Sequence, residues 1–288
     1  MKKQISFSGK GSRADIGDMA IFRIIPNRYA DAVGPFVFLD HIAPKIHTSP
    51  NKSGTGAHPH RGIATLTYIL NGEDAHLDSA GNNTTVYSGG VQWMKAGNGI
   101  IHDESLSYDT NTENKLTHGF QFWINLPAKN KAERPEYLAI QHDEVPCKLL
   151  PEESGWIKVI AGKYENLRST IPDYTEQFIY HIHLSGEQQY SLYINEGMEV
   201  AAFLPLHSLA VNDQEFGSGE FIEFDRKAGT VEIKNHDETA VDIIVFGGEP
   251  YTEPIVAQGP FVMNTQQEIS EAYLDFYEGK YGKISYEK

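Results

Sequence analysis

Short apolar segments separated by turn residues recur along the first half of the chain, at the spacing of an all-β protein. Asn71-Gly72, Ser88-Gly-Gly90 and Ala96-Gly-Asn-Gly99 lie between them and are typical of tight turns. The pattern predicts strands over residues 65–70, 76–79, 84–87, 91–95, 100–102 and 120–126.

The second half repeats the pattern, with predicted strands over residues 158–161, 178–184, 189–194, 200–204, 222–224, 230–234 and 241–246. Pro127 to Pro135 is polar and bounded by prolines, which is typical of a linker. We therefore expect domains at 1–134 and 135–288. Two β-rich halves of similar length predict an all-β protein with a duplicated barrel or jelly roll.

Only the C-terminal part of the chain, residues 265–281, has a helical pattern. Ile269, Tyr273, Phe276 and Tyr277 fall on one helical face, and we expect that face to pack on the protein's own barrel. Thr265 is placed to begin the helix with a capping box, since a glutamate follows three residues later.

Composition excludes several classes of partner. The chain has 288 residues and a net charge of −15, and Lys129, Lys131 and Arg134 are its nearest approach to a basic cluster. Nucleic acid and anionic membranes are therefore not expected partners. The single cysteine, Cys147, suits a reducing compartment. The first residues lack the apolar run of a signal peptide, and no stretch has the length of a spanning helix, so we expect a cytoplasmic protein.

Two short motifs carry the candidate chemistry. In an extended segment side chains alternate between faces, so His58 and His60 point the same way, as do His102 and Glu104, while Asp103 points away. If the two segments lie side by side, three imidazoles and one carboxylate converge. This set suits Fe(II), Mn, Ni, Cu or Zn, and four protein ligands in an octahedral sphere leave two positions for substrate or O₂.

Other polar residues have less specific interpretations. His181 and His183 imitate the first pair, but no His-x-Glu follows, so we expect the second half to hold no metal. We expect His41 and His76 to be structural. His118 and Gln121 suit either a role beside the metal or ordinary strand hydrogen bonding. Cys147 has no base in evident reach and is not expected to be a nucleophile.

Around these motifs the sequence resembles the pirin family of bicupins. The resemblance covers nearly the whole chain from about residue 20. It is carried by Gly34-Pro-Phe-Val-Phe-Leu-Asp-His41, His58-Pro-His-Arg-Gly62, Val91-Gln-Trp-Met94, Gly99-Ile-Ile-His-Asp-Glu104, His118-Gly-Phe-Gln-Phe-Trp-Ile-Asn-Leu-Pro127 and Gly259-Pro-Phe-Val-Met-Asn264.

The resemblance implies two stacked cupin barrels, a C-terminal helix and one metal, usually iron, in the first barrel. It implies that His58, His60, His102 and Glu104 are the metal ligands. Some members of the family are quercetin 2,3-dioxygenases, and others are nuclear cofactors that bind transcription factors. The chain departs from the family at Ala64, where a glutamate is expected, and this change could remove a group beside the metal.

The leading hypothesis is an iron-dependent dioxygenase that opens a flavonol such as quercetin with O₂ and loss of carbon monoxide. Glu104 would act as general base. Four residues are predicted pocket walls: Phe36, Phe38, Trp93 and Met94. The alternatives are a metal-dependent regulatory module that binds a protein partner without turnover, and a non-oxidative reaction such as isomerisation. A monomer is expected.

Overall fold

The computed structural model describes residues 1–17, 19–49 and 54–286 and consists mostly of strands. The strands of the first half are β1 (Ile5–Lys10), β2 (Ser12–Arg13), β3 (Ile21–Ile25), β4 (Phe36–Ile46), β5 (His58–His60), β6 (Ile63–Asn71), β7 (Glu73–Asp78), β8 (Asn83–Tyr87), β9 (Val91–Lys95), β10 (Ile100–Ser107) and β11 (Leu116–Asn125).

Those of the second half are β12 (Glu136–Ile140), β13 (Cys147–Leu149), β14 (Gly155–Ala161), β15 (Lys163–Tyr164), β16 (Leu167–Arg168), β17 (Gln177–Leu184), β18 (Gln189–Ile194), β19 (Glu199–Phe203), β20 (Leu209–Val211), β21 (Gln214–Phe216), β22 (Glu220–Phe224), β23 (Gly229–Lys234), β24 (Val241–Gly248), β25 (Val256–Gln258) and β26 (Phe261–Met263). Short 3₁₀ turns occupy Ala128–Asn130, His142–Glu144 and Pro151–Glu153, and helix α1 spans Gln266–Tyr277.

The chain divides into two compact units that exchange their terminal segments. The C-terminal unit contains residues 145–251 together with 1–12 and 23–37, and the N-terminal unit contains 13–22, 38–144 and 252–288. The compact units therefore differ at both chain ends from the expected ranges 1–134 and 135–288. The reason is that β1 pairs with β22, and the last residues pack against elements of the first half. The boundary between sequential domains stays a prediction.

The C-terminal unit has a continuous apolar interior. Its strands form a seven-stranded sheet, in the order β1-β22-β19-β24-β17-β14-β13, and a four-stranded sheet, β18-β23-β20-β21. Side chains from both sheets build one core, for example Ile182, Val231 and Ile243. Alternation along the strands supplies this apolar face, because every second side chain points inward.

The N-terminal unit repeats this plan with a more polar interior. Its seven-stranded sheet runs β12-β9-β6-β11-β4-β3-β2 and its four-stranded sheet runs β5-β10-β7-β8. Thr67 pairs with both Gln92 and Gln121, so these three side chains share one face of the larger sheet. No sheet closes into a barrel within the described ranges. The all-β, two-domain architecture with a C-terminal helix is confirmed.

The predicted strands agree with the structure to different extents. Val91–Lys95 and Gln189–Ile194 begin and end as expected, whereas the segment beginning at Ile100 continues to Ser107. The sequence pattern did not reveal the strands before residue 47, because they are partly exposed or continuously apolar.

Helix α1 begins with the expected capping box, since Thr265 and Glu268 exchange side-chain and backbone hydrogen bonds. Ile269 and Ala272 are buried beside Phe261 of β26. The expectation that Tyr277 shares this face is wrong: its side chain is 77% exposed, because the buried stripe passes through Ala272 instead. Among the described residues, no helix is long and apolar enough to cross a membrane.

Candidate metal centre

Two neighbouring strands bring the histidine motifs together. Strands β5 and β10 are antiparallel, with His58 directly opposite His102. Cross-strand partners point to the same face of a sheet, and the period of two adds His60 and Glu104 to that face. The sequence therefore placed the two motifs on a common face correctly.

The three imidazoles are in direct contact. The Nε2 atoms of His58 and His102 lie 3.0 Å apart. The ring centroid of His60 lies 5.0 Å from that of His58 and 4.9 Å from that of His102. His60 and His102 are buried, and His58 is half-buried. One atom from each ring falls in a group whose members lie within 4.8 Å of one another.

Backbone carbonyls orient two of these rings. His58 Nδ1 donates to Gly56 O over 2.7 Å, and His60 Nδ1 donates to Pro260 O over 3.1 Å. With the proton on Nδ1, each ring keeps a lone pair on Nε2. Holding the second nitrogen on a carbonyl is the usual way in which proteins orient metal-ligating histidines.

Burial keeps the inner imidazoles neutral. It lowers the pKa of His60 to about 3, with a further contribution from the neighbouring His58. Burial and the adjacent His60 and His58 also hold the pKa of His102 well below its ordinary value. A neutral imidazole is the form that binds a metal. His102 Nδ1 is buried and has no hydrogen-bond partner among the described residues.

Glu104 lies beside His102, next to the ring nitrogen that does not face His58. Its carboxylate Oε1 is 3.8 Å from His102 Nδ1. Gln121 Nε2 donates to Oε2 over 2.8 Å and Gln92 Nε2 donates to Oε1 over 3.1 Å. Glu104 forms a second compact group with His102 and His76. The four expected ligands are thus divided between two groups that share His102: one adds His58 and His60, and the other adds Glu104 together with His76.

His76 is closer to the centre than the sequence analysis expected. It is buried on β7 opposite Glu104, and its ring stacks on Tyr137 with centroids 4.2 Å apart. Its Nε2 lies 3.1 Å from Asp78 Oδ2. The expectation that His76 has a structural role is consistent with this bond, but its membership of the second group gives it a position beside the candidate ligands.

Asp74 is a buried carboxyl group that the sequence analysis missed. Gln92 Nε2 donates to its Oδ2 over 2.6 Å, so one amide group bridges Asp74 and Glu104. Burial and the charge of Glu104 raise the pKa of Asp74 well above its ordinary value. Strand β7 alternates Asp74, His76 and Asp78 on one face, and that period was the available signal.

A small cavity adjoins Glu104. Its volume is about 50 Å³, and its lining includes Thr67, Asp74, Gln121 and the apolar side chains of Met19 and Leu106. At about 10–15 Å³ for each water, the cavity has room for a few water molecules. A flavonol needs a site of roughly 300 Å³ or more.

None of the four predicted wall residues lines this cavity. Phe36 packs against Phe246, and Trp93 lies opposite Leu66 on the other face of its sheet. Met94 is on the same face as Thr65 but is buried in an apolar cluster. For Trp93, the sequence did not show which face of the strand was the inner one. Phe36 and Met94 instead contact other apolar side chains, which are distant in sequence or outside the cavity lining.

Phe38, the fourth, stacks on Trp123, with ring centroids 4.2 Å apart. Trp123 in turn meets His60 edge-on, at 4.9 Å between centroids. The indole Nε1 of Trp123 is buried with no hydrogen-bond partner among the described residues. Trp123 is not among the residues predicted for the site, although it lies two residues after Gln121 and therefore on the same face.

The two open assignments at His118 and Gln121 resolve differently. Gln121 contacts Glu104, as described above. His118 instead contacts His41, with 2.9 Å between the Nε2 atoms, and both rings are buried. His41 therefore has the structural contact that was expected of it.

Ala64 faces away from the candidate centre. It lies opposite Lys95 and Ile124. Thr67 is three positions further along β6, so its side chain points to the opposite face of the sheet, where Glu104 lies. Thr67 Oγ1 is 3.5 Å from Glu104 Oε1. A glutamate at position 64 would therefore not lie beside the candidate metal ligands, and an alanine there removes no group from their surroundings.

In the second half, His181 and His183 both bond Asp242 Oδ1, at 2.9 and 2.8 Å. They lie on β17 out of phase with the core residue Ile182. Neither therefore points into the apolar interior. That this half holds no metal stays a prediction.

The residues at the centre fit a divalent metal. Nitrogen ligands about 2.1 Å from a metal and at right angles to one another are about 3.0 Å apart. The two facing Nε2 atoms of His58 and His102 have this separation. The donors are imidazole nitrogens without a thiolate, and the Glu104 carboxylate lies beside His102. This donor set is typical of a metal site with open positions.

Comparisons with known proteins agree with this architecture. The profile of the pirin family matches residues 19–124, and that of the pirin C-terminal cupin domain matches residues 179–282. A Pseudomonas aeruginosa protein with the provisional name quercetin 2,3-dioxygenase is 31% identical over 284 residues, covering 98% of this chain and 99% of its own.

Two solved structures match most of the chain. A quercetin 2,3-dioxygenase from Acinetobacter baumannii matches with a TM-score of 0.90 and 31% identity, over 99% of this chain and 100% of its own. The bacterial pirin YhhW from Escherichia coli, in complex with nickel(II), matches with a TM-score of 0.63 and 19% identity, over 85% of this chain and 99% of its own. The latter likeness concerns the fold.

Proposed function

This chain belongs to the pirin family of bicupins, and on that premise we propose that it is a metal-dependent dioxygenase of flavonol-type substrates such as quercetin. The observation that carries the proposal is the contact between the Nε2 atoms of His58 and His102, beside His60 and Glu104. The relatives named as quercetin 2,3-dioxygenases support the substrate class.

We propose His58, His60, His102 and Glu104 as the ligands of one divalent metal, with Fe(II) as the native ion and Mn, Ni, Cu or Zn as alternatives. The donor set supports the class of metal, and the nickel(II) complex of YhhW is a related fold with a divalent ion. When bound, the metal would supply Lewis-acid activation of the substrate hydroxyl and a site for O₂.

Glu104 is the proposed general base. Gln121 and Gln92 each donate to one of its oxygens, which fixes the carboxylate plane while leaving lone pairs for a proton. The carboxylate would take the proton of the flavonol hydroxyl. Asp74, joined through the same glutamine, would favour its neutral form and so avoid a second charge beside Glu104.

The cavity against Glu104 suits O₂ or water rather than a flavonol, by its volume of about 50 Å³. The flavonol is therefore proposed to approach from the side of His58, which is the half-buried ring of the three. The stacked Phe38 and Trp123 offer an aromatic surface next to His60. Aromatic rings favour such offset-stacked contacts.

The test measures O₂ consumption and carbon monoxide release by the Fe(II)-loaded protein with quercetin and a panel of other flavonols. A His102→Ala variant of the same chain is the control, and it should lose both signals. If the protein binds the metal stoichiometrically yet consumes no O₂ with any flavonol, the dioxygenase proposal fails. The regulatory alternative, the cytoplasmic location and the monomeric state stay predictions.

A further inference from the structure

The C-terminal tail, residues 252–286, returns to the strand that carries two of the candidate ligands. Val262 N donates to Arg61 O over 3.1 Å, and Arg61 pairs with Phe261 through a parallel bridge. Immediately before this bridge, Pro260 O accepts the hydrogen bond from His60 Nδ1. The tail therefore supplies the carbonyl that orients a buried imidazole of the centre.

The approach of the tail to this strand is close. Gly62 has φ of +81°, and a Cβ built on it would lie 2.0 Å from Val262 O. Only glycine avoids that overlap and accepts this backbone conformation without strain. Lys131 Nζ then joins the two segments, donating to Gly62 O over 3.0 Å and to Val262 O over 2.6 Å.

Helix α1 and the residues after it hold the tail in place. Asp275 Oδ2 accepts from Arg61 Nη1 over 2.6 Å, at partly buried side chains. Tyr281 is buried; its hydroxyl donates to Ala272 O over 2.8 Å, and its ring covers Gly99 at the turn before β10. The tail thus touches the residues that flank both ligand-bearing strands.

We propose that the C-terminal tail is a positioning element of the metal centre: it sets the tautomer and orientation of His60 through Pro260, and the Arg61–Asp275 pair holds that carbonyl in register. This inference rests on the proposed metal site. Groups that orient a ligand typically change metal affinity 10- to 100-fold when they are lost. Asp275 acts through Arg61 and the tail, so about a tenfold loss is expected for its removal.

The test compares Asp275→Ala with Lys280→Ala. Asp275 also accepts from Lys280 over 2.6 Å, on the exposed side of the carboxylate. The control therefore breaks an ion pair of the same aspartate and leaves Arg61 bound. Co(II) affinity is measured by competition titration, and the ¹⁵N resonances of the His60 ring are recorded by NMR in the metal-free protein.

We expect Asp275→Ala to weaken Co(II) binding about tenfold and to give a mixture of His60 tautomers, with Asp275→Asn recovering part of both. Lys280→Ala should change affinity less than twofold and leave His60 protonated on Nδ1. Tyr281→Phe is the second variant, for use if Asp275→Ala folds poorly. It keeps the ring, removes the hydroxyl that donates to Ala272 O and accepts from Arg61 Nη1, and should also weaken Co(II) binding.

Equal Co(II) affinity and equal His60 tautomers in Asp275→Ala and Lys280→Ala would overturn the positioning role. A His60 ring protonated on Nε2 in the unaltered protein would also overturn it. Failure of the unaltered protein to bind any metal would defeat the proposed function instead. In that event the tautomer measurement on the metal-free chain still decides whether the tail orients His60.

Discussion

His58 and His102 face each other across two antiparallel strands with their Nε2 atoms 3.0 Å apart. His58 Nδ1 donates a hydrogen bond to a backbone carbonyl. The Nδ1 atom of His102 is buried and has no hydrogen-bond partner among the described residues. A cation between the two rings can accept a lone pair from each Nε2 atom, whereas a direct contact between the rings uses only one of these lone pairs. Metal binding should therefore stabilise the fold.

Replacing His102 should remove the metal. His102→Ala deletes the ring common to both groups of candidate ligands, so we expect metal content to fall from about one ion per chain to near zero, a loss of affinity of at least 100-fold. Elemental analysis of the purified protein and the metal-induced rise in Tm measure this. His183→Ala is the matched control, since it removes a histidine bonded to Asp242 in the other unit. Unchanged metal content in His102→Ala would contradict the assignment.

Gln121 should matter through Glu104. Gln121→Leu removes the donor at 2.8 Å from Oε2 and leaves an apolar group of similar size. The freed carboxylate rotates more easily, so we expect metal affinity or turnover to fall about tenfold. Isothermal titration with Mn(II) and steady-state kinetics measure the two effects. Gln189→Leu, at an exposed position of β18, is the control, and an equal effect in both variants would show that the Gln121 bond has no special role.

Ala64→Glu should leave the metal site intact. The side chain at position 64 is buried on one face of the seven-stranded sheet, and Thr67 lies on the other face, which is turned toward Glu104. A buried carboxylate there should cost about 2–4 kcal/mol of unfolding free energy, while metal affinity stays within about twofold. Urea unfolding and metal titration measure the two quantities. Ala64→Gln separates the cost of size from that of charge. A tenfold change in metal affinity in Ala64→Glu would show that position 64 communicates with the centre.

Lys131 should give the fold a measurable pH dependence. Burial lowers its pKa to about 7, from 10.5 for the free side chain. Between these values the unfolded chain binds more protons than the folded one, so the contribution of Lys131 to stability rises with pH; below pH 7 its full penalty is present. From pH 7 to pH 9 the free energy of unfolding should increase by about 2 kcal/mol relative to Lys131→Met.

Denaturant unfolding at the two pH values checks this difference, with Lys129→Met as the exposed control. The Lys131 ammonium donates to Gly62 O, Val262 O and Asn125 Oδ1, and the neutral amine can keep two of these three bonds, so its replacement also lowers stability at every pH. The pH-dependent part isolates the titration from that constant loss. Parallel curves for the unaltered chain and Lys131→Met would contradict a buried amine with a lowered pKa.

Local alternation was enough to predict much of the candidate site. A side chain in an extended segment points to the same face as its neighbour two residues away, whatever the rest of the fold does. That rule placed His58 with His60 and His102 with Glu104, and it placed Asp103 on the other face. The capping box of α1 was predictable for the same reason, since its bonds join residues three positions apart.

Only the tertiary structure decided which faces are inner ones and which distant residues meet. The pairing of β5 with β10 brought His58 opposite His102, and the pairing of β10 with β7 brought Glu104 beside His76. Gln92 lies on β9 of the other sheet, and its side chain reaches both Asp74 and Glu104 from there. The tertiary structure also turned Ala64 and Trp93 away from the centre and returned Pro260 to His60. The physical reason is that strand register and chain return are set by burial of whole sheets, whereas a local sequence determines only its own alternation.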